Sequence, residues 1–342
     1  MEKDASVIRQ AWGCLLGQIA GDALGSQVEF KDAETVRSLY PAGFDELEGS
    51  NLYGTLPGQP TDDSEMALAL ARSLAAAGGF DAGHVLEAYK RWLKSRPVDF
   101  TQSVFRAMHG KVDARSQTNS ALIRVSPLGI LGARFIPDEV LPCDDGASPS
   151  IAMLTNDHSV LQLIEWAMEE AALTNPHPLC RVASACYVVA IACGIRGAGR
   201  ELMHSAAMKT AEYLTGREEL VQAASQVRLC LETARSAEPE DYQENMSHVL
   251  TTLQNGFWQL LHAADGGEGV RASVMHGGDS AANGAVAGAL LGAALDIDTF
   301  PAQWTDAVLA CLPEEGRQGV GRPRPKEYWP LDFMPLAESL LR

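Results

Sequence analysis

Two stretches of this chain carry glycine at every fourth residue: Gly13, Gly17, Gly21 and Gly25 near the start, and Gly284, Gly288 and Gly292 near the end. Inside a helix each glycine costs about 1 kcal/mol relative to alanine, so a whole stripe on one face requires a compensating gain. A helix face without side chains lets another backbone come close, and that is the gain available here. The spacing therefore predicts two core helices packed at unusually short range. Each stripe also runs beside an acidic segment, so the same packing would bring distant carboxylates together.

The rest of the sequence is compatible with helices throughout. Helical periodicity covers Trp12 to Ala23, Ser64 to Ala77, Ala82 to Lys94, His158 to Leu173, Leu179 to Gly194, Glu201 to Leu214, Glu218 to Ala234, Tyr242 to Leu253 and Ala281 to Leu295. Alternating β-branched segments are absent, and aromatic residues are only 6% of the chain, so the core must come from Ala, Leu, Val and Gly. An all-α fold follows. Turn signals at Gly78-Gly79, Arg96-Pro97, Asn175-Pro176 and Gly266-Gly267 separate the helices. The 342 residues would allow two domains on size alone, although no segment reads as a linker. The segments Lys31 to Pro60 and Phe135 to Ser150 read as long polar loops of the kind that often carries function. The Pro-, Gly- and Arg-rich tail from Leu312 to Pro330 is expected to lie over the surface.

With 27 basic and 44 acidic residues the formal charge is −17, which makes nucleic acid an unsuitable partner. Seven cysteines stand singly, at Cys14, Cys143, Cys180, Cys186, Cys193, Cys230 and Cys311, and suggest a reducing compartment without disulfides. The first ten residues lack the apolar run of a signal peptide. The most apolar stretch, Ala183 to Ile195, is shorter than the roughly 18 residues of a membrane span. The expected location is cytoplasmic, away from membranes.

Chemistry is concentrated in two places. Thr61-Asp62-Asp63 precedes an apolar run, and any of the three could cap the next helix. Capping needs only one of them, and consecutive carboxylates repel unless a cation lies between. Oxygen donors of this kind suit a hard divalent ion such as Mg²⁺ or Mn²⁺. The second place is His276-Gly277-Gly278-Asp279-Ser280, which leads into the second glycine stripe. Asp279 or Ser280 could be a helix cap there, and Asp279 could equally be another carboxylate donor, since a ligand at a helix start can also cap it.

Taken together, the segments GCLLGQIAGDALGSQVEF, QPTDDSEMALAL, SRPVDFTQSVFRAM, TNSALIRVSPLGIL, LTNPHPLC and HGGDSAANGAVAGALLGA resemble the ADP-ribosylglycohydrolase family, in the family's order, from residue 13 to about residue 293. The family includes ADP-ribosyl-arginine hydrolases and the enzyme that reactivates dinitrogenase reductase. The resemblance implies a single orthogonal helical bundle with two Mg²⁺ or Mn²⁺ ions in a central cleft. It also implies hydrolysis at the anomeric carbon of the distal ribose, which frees a modified protein from ADP-ribose. By the same resemblance Thr61, Asp62, Asp63 and Asp279 are metal ligands, Glu29 and Asp62 serve catalysis, and Asp99, Asn119, Ser120 and His177 line the substrate site. Simpler roles exist beside these: a helix-start histidine bonded to backbone for His177, a capped turn for Asn119 and Ser120, and a surface residue ending the first helix for Glu29.

One departure stands out. The family's second metal motif continues with an aspartate that bridges both ions and then often a hydroxyl residue, and this chain has Ala281 and Ala282 there. Alanine has no donor atom, so binding of at least one ion should weaken. A one-metal enzyme, a non-hydrolytic relative and a sequence altered to trap its ligand all account for the alanines. The expected function is metal-dependent release of ADP-ribose from a modified side chain, most suitably arginine. The alternative is a binding protein that grips ADP-ribose or an ADP-ribosyltransferase toxin without turnover, its acidic surface covering a basic partner. A hydrolase of free ADP-ribose derivatives would use the same site, because the loops that wall the pocket decide the substrate.

Overall fold

The computed structural model describes residues 2–44, 46–141 and 150–342, so Cys143 and half of the Phe135 to Ser150 loop lie outside the described residues. Fifteen α-helices and no strand occur among the described residues. They are α1 (Glu2–Gly25), α2 (Ala33–Leu39), α3 (Asp62–Ala77), α4 (Ala82–Lys94), α5 (Gln102–Met108), α6 (Ser126–Gly132), α7 (His158–Ala172) and α8 (Pro178–Ile195). Then follow α9 (Arg200–Leu214), α10 (Val221–Thr233), α11 (Val249–His262), α12 (Gly266–Met275), α13 (Ser280–Leu295), α14 (Ala302–Ala310) and α15 (Phe333–Leu340). The all-α expectation holds.

The two glycine stripes face each other. Gly13 lies against Gly292, Gly17 against Gly288, Gly21 against Gly284 and Gly25 against Ser280, so α1 and α13 run antiparallel in one register. A Cβ at Gly17 would sit 2.1 Å from the Gly288 carbonyl oxygen, and one at Gly21 would sit 2.1 Å from that of Gly284. No side chain fits between these backbones. The Ser280 hydroxyl donates to the Gly25 carbonyl at 2.8 Å and closes the end of the stripe. The C-terminus of α1 is thereby fixed against the N-terminus of α13, which positions the site described below.

Helix α8 is the other central element. It is 18 residues long, longer than the apolar run in its sequence, and by length and composition alone it could cross a membrane. Its side chains are instead almost entirely buried among α6, α7, α9 and α13. Cys180, Cys186 and Cys193 on this helix, with Cys14, Cys230 and Cys311, are all buried free thiols.

Three expectations are corrected. The segment from Tyr242 to Leu253 is not one helix: residues 242–248 form a turn, with Asn245 at φ 57°, and α11 begins only at Val249, where the His248 imidazole accepts the N–H of Leu250. Gly266-Gly267 does not separate helices but opens α12, because a Cβ at Gly266 would meet Thr299 at 2.4 Å and Asp265 supplies the cap through the N–H of Glu268. The C-terminal tail does not merely cover the surface. Arg324 is buried and pairs with Glu65 of α3 through two 2.7 Å contacts, while its Nη1 donates to the carbonyls of Ser95 and Arg96.

Candidate active site

The site begins with how α3 starts. Thr61 occupies the cap position, yet its side chain caps nothing. Asp22, from α1 and fully buried, accepts the N–H of Thr61 at 3.1 Å and of Ser64 at 3.0 Å, and the Thr61 hydroxyl at 2.7 Å. A helix start leaves its first N–H groups without partners, and here a carboxylate from another helix supplies them. The consequence is chemical: Asp62 and Asp63 are released from capping, and their buried carboxylates are left for other partners. Glu65, one residue beyond Ser64, is neutralised by Arg324 and also accepts the indole N–H of Trp92 at 2.8 Å. Among the described residues Asp62 and Asp63 have no such basic partner.

Asp279 stands just before α13 and is buried. Its Oδ2 accepts the side-chain amide of Asn119 at 3.0 Å, and the same amide donates to Thr252 at 2.9 Å. The Asn119 N–H in turn reaches the Ser247 carbonyl at 2.8 Å, so the 118–120 turn and the approach to α11 are stitched together beside Asp279. Ser120 sits below, its hydroxyl within 2.9 Å of both Ser103 and Thr101.

Glu29 and Asp99 complete the acidic lining through a residue that sequence reasoning missed. The Tyr53 hydroxyl lies 2.7 Å from Glu29 Oε2 and 2.9 Å from Asp99 Oδ2. A phenol has one proton to donate, so both contacts are full hydrogen bonds only when one carboxyl is itself protonated. Arg322 of the tail holds Tyr53 in place by donating to its carbonyl at 2.9 Å. The next residue after Glu29, Phe30, has φ 64°. That left-handed conformation costs a side-chain-bearing residue on the order of 1 kcal/mol. It is locked by Phe30 N–H to Gly278 and Gly278 N–H to Lys31, each 2.8 Å, which ties Glu29 to the segment carrying Asp279.

Electrostatics reports how tightly these groups gather. Burial, then the Asp279 charge, holds the Glu29 carboxyl well above the usual carboxylate range. Burial also raises Asp62, aided by Asp99, Asp22 and Asp279, and raises Asp63, aided by Asp62, Asp22, Asp279 and Glu29. Asp279 is raised by burial and partly relieved by hydrogen bonds from Ser247 and Asn119. Asp22 is pushed up to about 6, its burial outweighing the hydrogen bonds from Thr61 and Ser64. Side chains from α1, α3 and the start of α13 thus share one low-dielectric region and resist simultaneous ionisation.

The oxygen donors that could hold a cation are Thr61 Oγ1 and the carboxylates of Asp62, Asp63 and Asp279. Asp63 Oδ2 is buried without a hydrogen-bond partner. Buried acceptor oxygens and carboxyls raised by burial and by neighbouring charge are a donor set that could hold a hard divalent cation. Ala281 is buried and contributes only a methyl group. Among the described residues, no three His, Cys, Asp or Glu side chains are already closed around one point.

His177 is placed differently from the other expected residues. It caps α8 by accepting the Leu179 N–H through Nδ1 at 3.2 Å, and its Nε2 lies 3.2 Å from the Gln117 amide. The backbone role foreseen for it is therefore real. Of the residues sequence reasoning passed over, Asp22 carried a signal, as the one charged residue between Gly13 and Gly25. Arg324 carried one that was misread as surface, and Tyr53 and Thr252 carried none.

Residues 3–322 match the protein family described as ADP-ribosylglycohydrolase. The chain is 28% identical to the ADP-ribosyl-dinitrogen reductase glycohydrolase of Rhodospirillum rubrum over 325 residues, covering 92% of this chain and 95% of that protein. It is 22% identical to the ADP-ribosylarginine hydrolase Tri1 of Pseudomonas putida (strain GB-1) over 320 residues, covering 87% and 74%. A solved structure described as an ADP-ribosylglycohydrolase-related protein complex superposes with a TM-score of 0.70 at 23% identity, covering 99% of both chains, and shares the fold.

Proposed function

The chain belongs to the ADP-ribosylglycohydrolase family, and from that premise we propose that its acidic cleft hydrolyses the bond between ADP-ribose and a modified arginine of a protein, assisted by Mg²⁺ or Mn²⁺. One observation supports this reading: the Asp279 charge, from more than 200 residues along the chain, helps to raise the buried carboxyls of Asp62 and Asp63, and none of the three pairs with Lys or Arg among the described residues. Thr61, Asp62, Asp63 and Asp279 would hold the ion. When bound, a divalent cation supplies charge for the ribose hydroxyls and lowers the pKa of water.

The remaining steps belong to the chain. Glu29 and Asp99, joined by Tyr53, face a guanidinium with negative charge. Glu29 takes a proton from water as the water oxygen bonds to the anomeric carbon. The carbon–nitrogen bond breaks with its electron pair going to the guanidine, which then receives the proton. A carboxylate that burial and the Asp279 charge hold well above its usual range is a stronger base for this exchange than an ordinary glutamate. Asn119 positions Asp279, and no covalent intermediate is required.

A second reading rests on Ala281: a protein that binds ADP-ribose, or an ADP-ribosyltransferase, without turnover. The test is ADP-ribose release from an ADP-ribosylated arginine substrate with and without Mg²⁺, beside Asp62→Asn. Mg²⁺-dependent release that the variant loses supports the hydrolase. Binding of ADP-ribose with no release supports the second reading.

A further inference from the structure

Ten large hydrophobic side chains are exposed on the described surface, and four of them stand on the segments that carry Glu29, Tyr53 and Asp99. Phe30 follows Glu29, Leu52 precedes Tyr53, Phe100 follows Asp99, and Phe105 stacks on Phe100 with ring centroids 5.5 Å apart. Tyr53 joins Glu29 to Asp99 by hydrogen bonds of 2.7 and 2.9 Å, so three exposed apolar residues stand next in sequence to three side chains that meet, and Phe105 extends the group through Phe100. Phe30 and Leu52 are 54% and 55% exposed, and Phe30 does not pack against the core. Glycine would relax the backbone at position 30 and cost nothing in internal packing. A strained, exposed aromatic beside a functional site is best explained by what it touches outside the molecule.

We propose that Phe30, Leu52, Phe100 and Phe105 form a docking rim for the polypeptide that carries the modification: a basic segment with apolar residues next to its ADP-ribosylated arginine. This rests on the reading of the cleft as an ADP-ribosyl site. The occupant follows from charge. The floor holds Glu29, Asp62, Asp63 and Asp279, none of them paired with Lys or Arg among the described residues, and the whole chain carries −17. An acidic floor steers and orients a basic segment, and aromatic groups around it supply the desolvated contacts that concentrate binding energy. A free nucleotide sugar, itself an anion, gains little from this combination. The rim therefore favours protein-linked over free ADP-ribose.

The test uses Phe30→Gly, which relieves backbone strain, and Phe100→Ser. Two probes are compared in Mg²⁺: free ADP-ribose, and a basic peptide with one ADP-ribosylated arginine between leucines. Affinity is read as Kd, or as KM where the peptide is turned over. Each variant should weaken the peptide by roughly tenfold, as loss of an aromatic contact does at an interface centre, while ADP-ribose stays within about twofold. An equal loss for both probes would overturn the proposal and assign the aromatics to the nucleotide. Unchanged affinity for both would overturn it as well, leaving the cleft's reading intact. Failure of the unsubstituted chain to bind ADP-ribose at all would remove that reading and the rim with it.

Discussion

The Asp22 carboxylate, on α1, caps α3 by receiving the N–H and hydroxyl of Thr61 across 39 residues of sequence. Two helices are joined at the point where the acidic residues begin, and Thr61 is oriented by the same bonds. Asp22→Ala should cost about 1–3 kcal/mol, the penalty for a lost cap whose buried donors stay unpaired. Thermal denaturation checks this, with Asp22→Asn as the milder comparison. An unchanged midpoint for Asp22→Ala would remove the cap from the account.

The glycine register makes a sharper claim. Gly17→Ala would push a Cβ to 2.1 Å from the Gly288 carbonyl oxygen, and neither backbone can yield without moving a helix. The cost should reach or exceed the roughly 1–3 kcal/mol typical of overpacked cores. Gly79→Ala, where nothing lies within 4 Å, is the control and should be nearly neutral. Equal stability of the two variants would contradict the packing.

The Glu65–Arg324 pair ties the tail to α3 at 1% exposure on both sides. Arg324→Ala should cost about 3–5 kcal/mol, because an unpaired carboxylate is left buried against Trp92. Tail ordering also supports Tyr53 through Arg322, so limited proteolysis of the variant should cut first after the tail basic residues. A variant as stable and as protease-resistant as the parent would show that the tail is dispensable.

The raised carboxyls set a pH dependence. Asp22, Asp62, Asp63, Asp279 and Glu29 bind protons more tightly folded than unfolded. Their contribution therefore favours the folded chain at low pH and is lost as pH rises above roughly 4, the unfolded value, through about 6 for Asp22. The metal-free chain should show a falling melting temperature from these groups over that range. Added Mg²⁺ competes with the protons, so its stabilising shift should be larger at pH 7 than at pH 5. A shift of equal size at both values, or none, would argue against a cation at these oxygens.

Much of this was legible in sequence because it is periodic or local. The glycines at every fourth residue name the pairing of α1 with α13, and Ala82–Lys94 is bounded in sequence where it is bounded in space. What escaped depends on partners far along the chain. Asp22 looks like one polar residue in an apolar helix until Thr61 is placed beside it. Tyr53 sits in a loop with no local signal, and only folding brings it between Glu29 and Asp99. Asn245 adopts a left-handed conformation that stops an otherwise plausible helix before Val249. The tail's prolines and glycines suggested a surface course, and composition cannot announce that Arg324 enters the core.

The central claim is that the cleft is a hydrolase site limited by the missing donor at Ala281. The direct measurement is the rate of ADP-ribose release from an ADP-ribosylated arginine substrate in Mg²⁺, for this chain and for Ala281→Asp. A carboxylate restored between Asp279 and the rest of α13 should raise the rate by on the order of tenfold or more, corresponding to at least about 1.4 kcal/mol of transition-state stabilisation. Equal rates for the two proteins at full metal occupancy would contradict the claim.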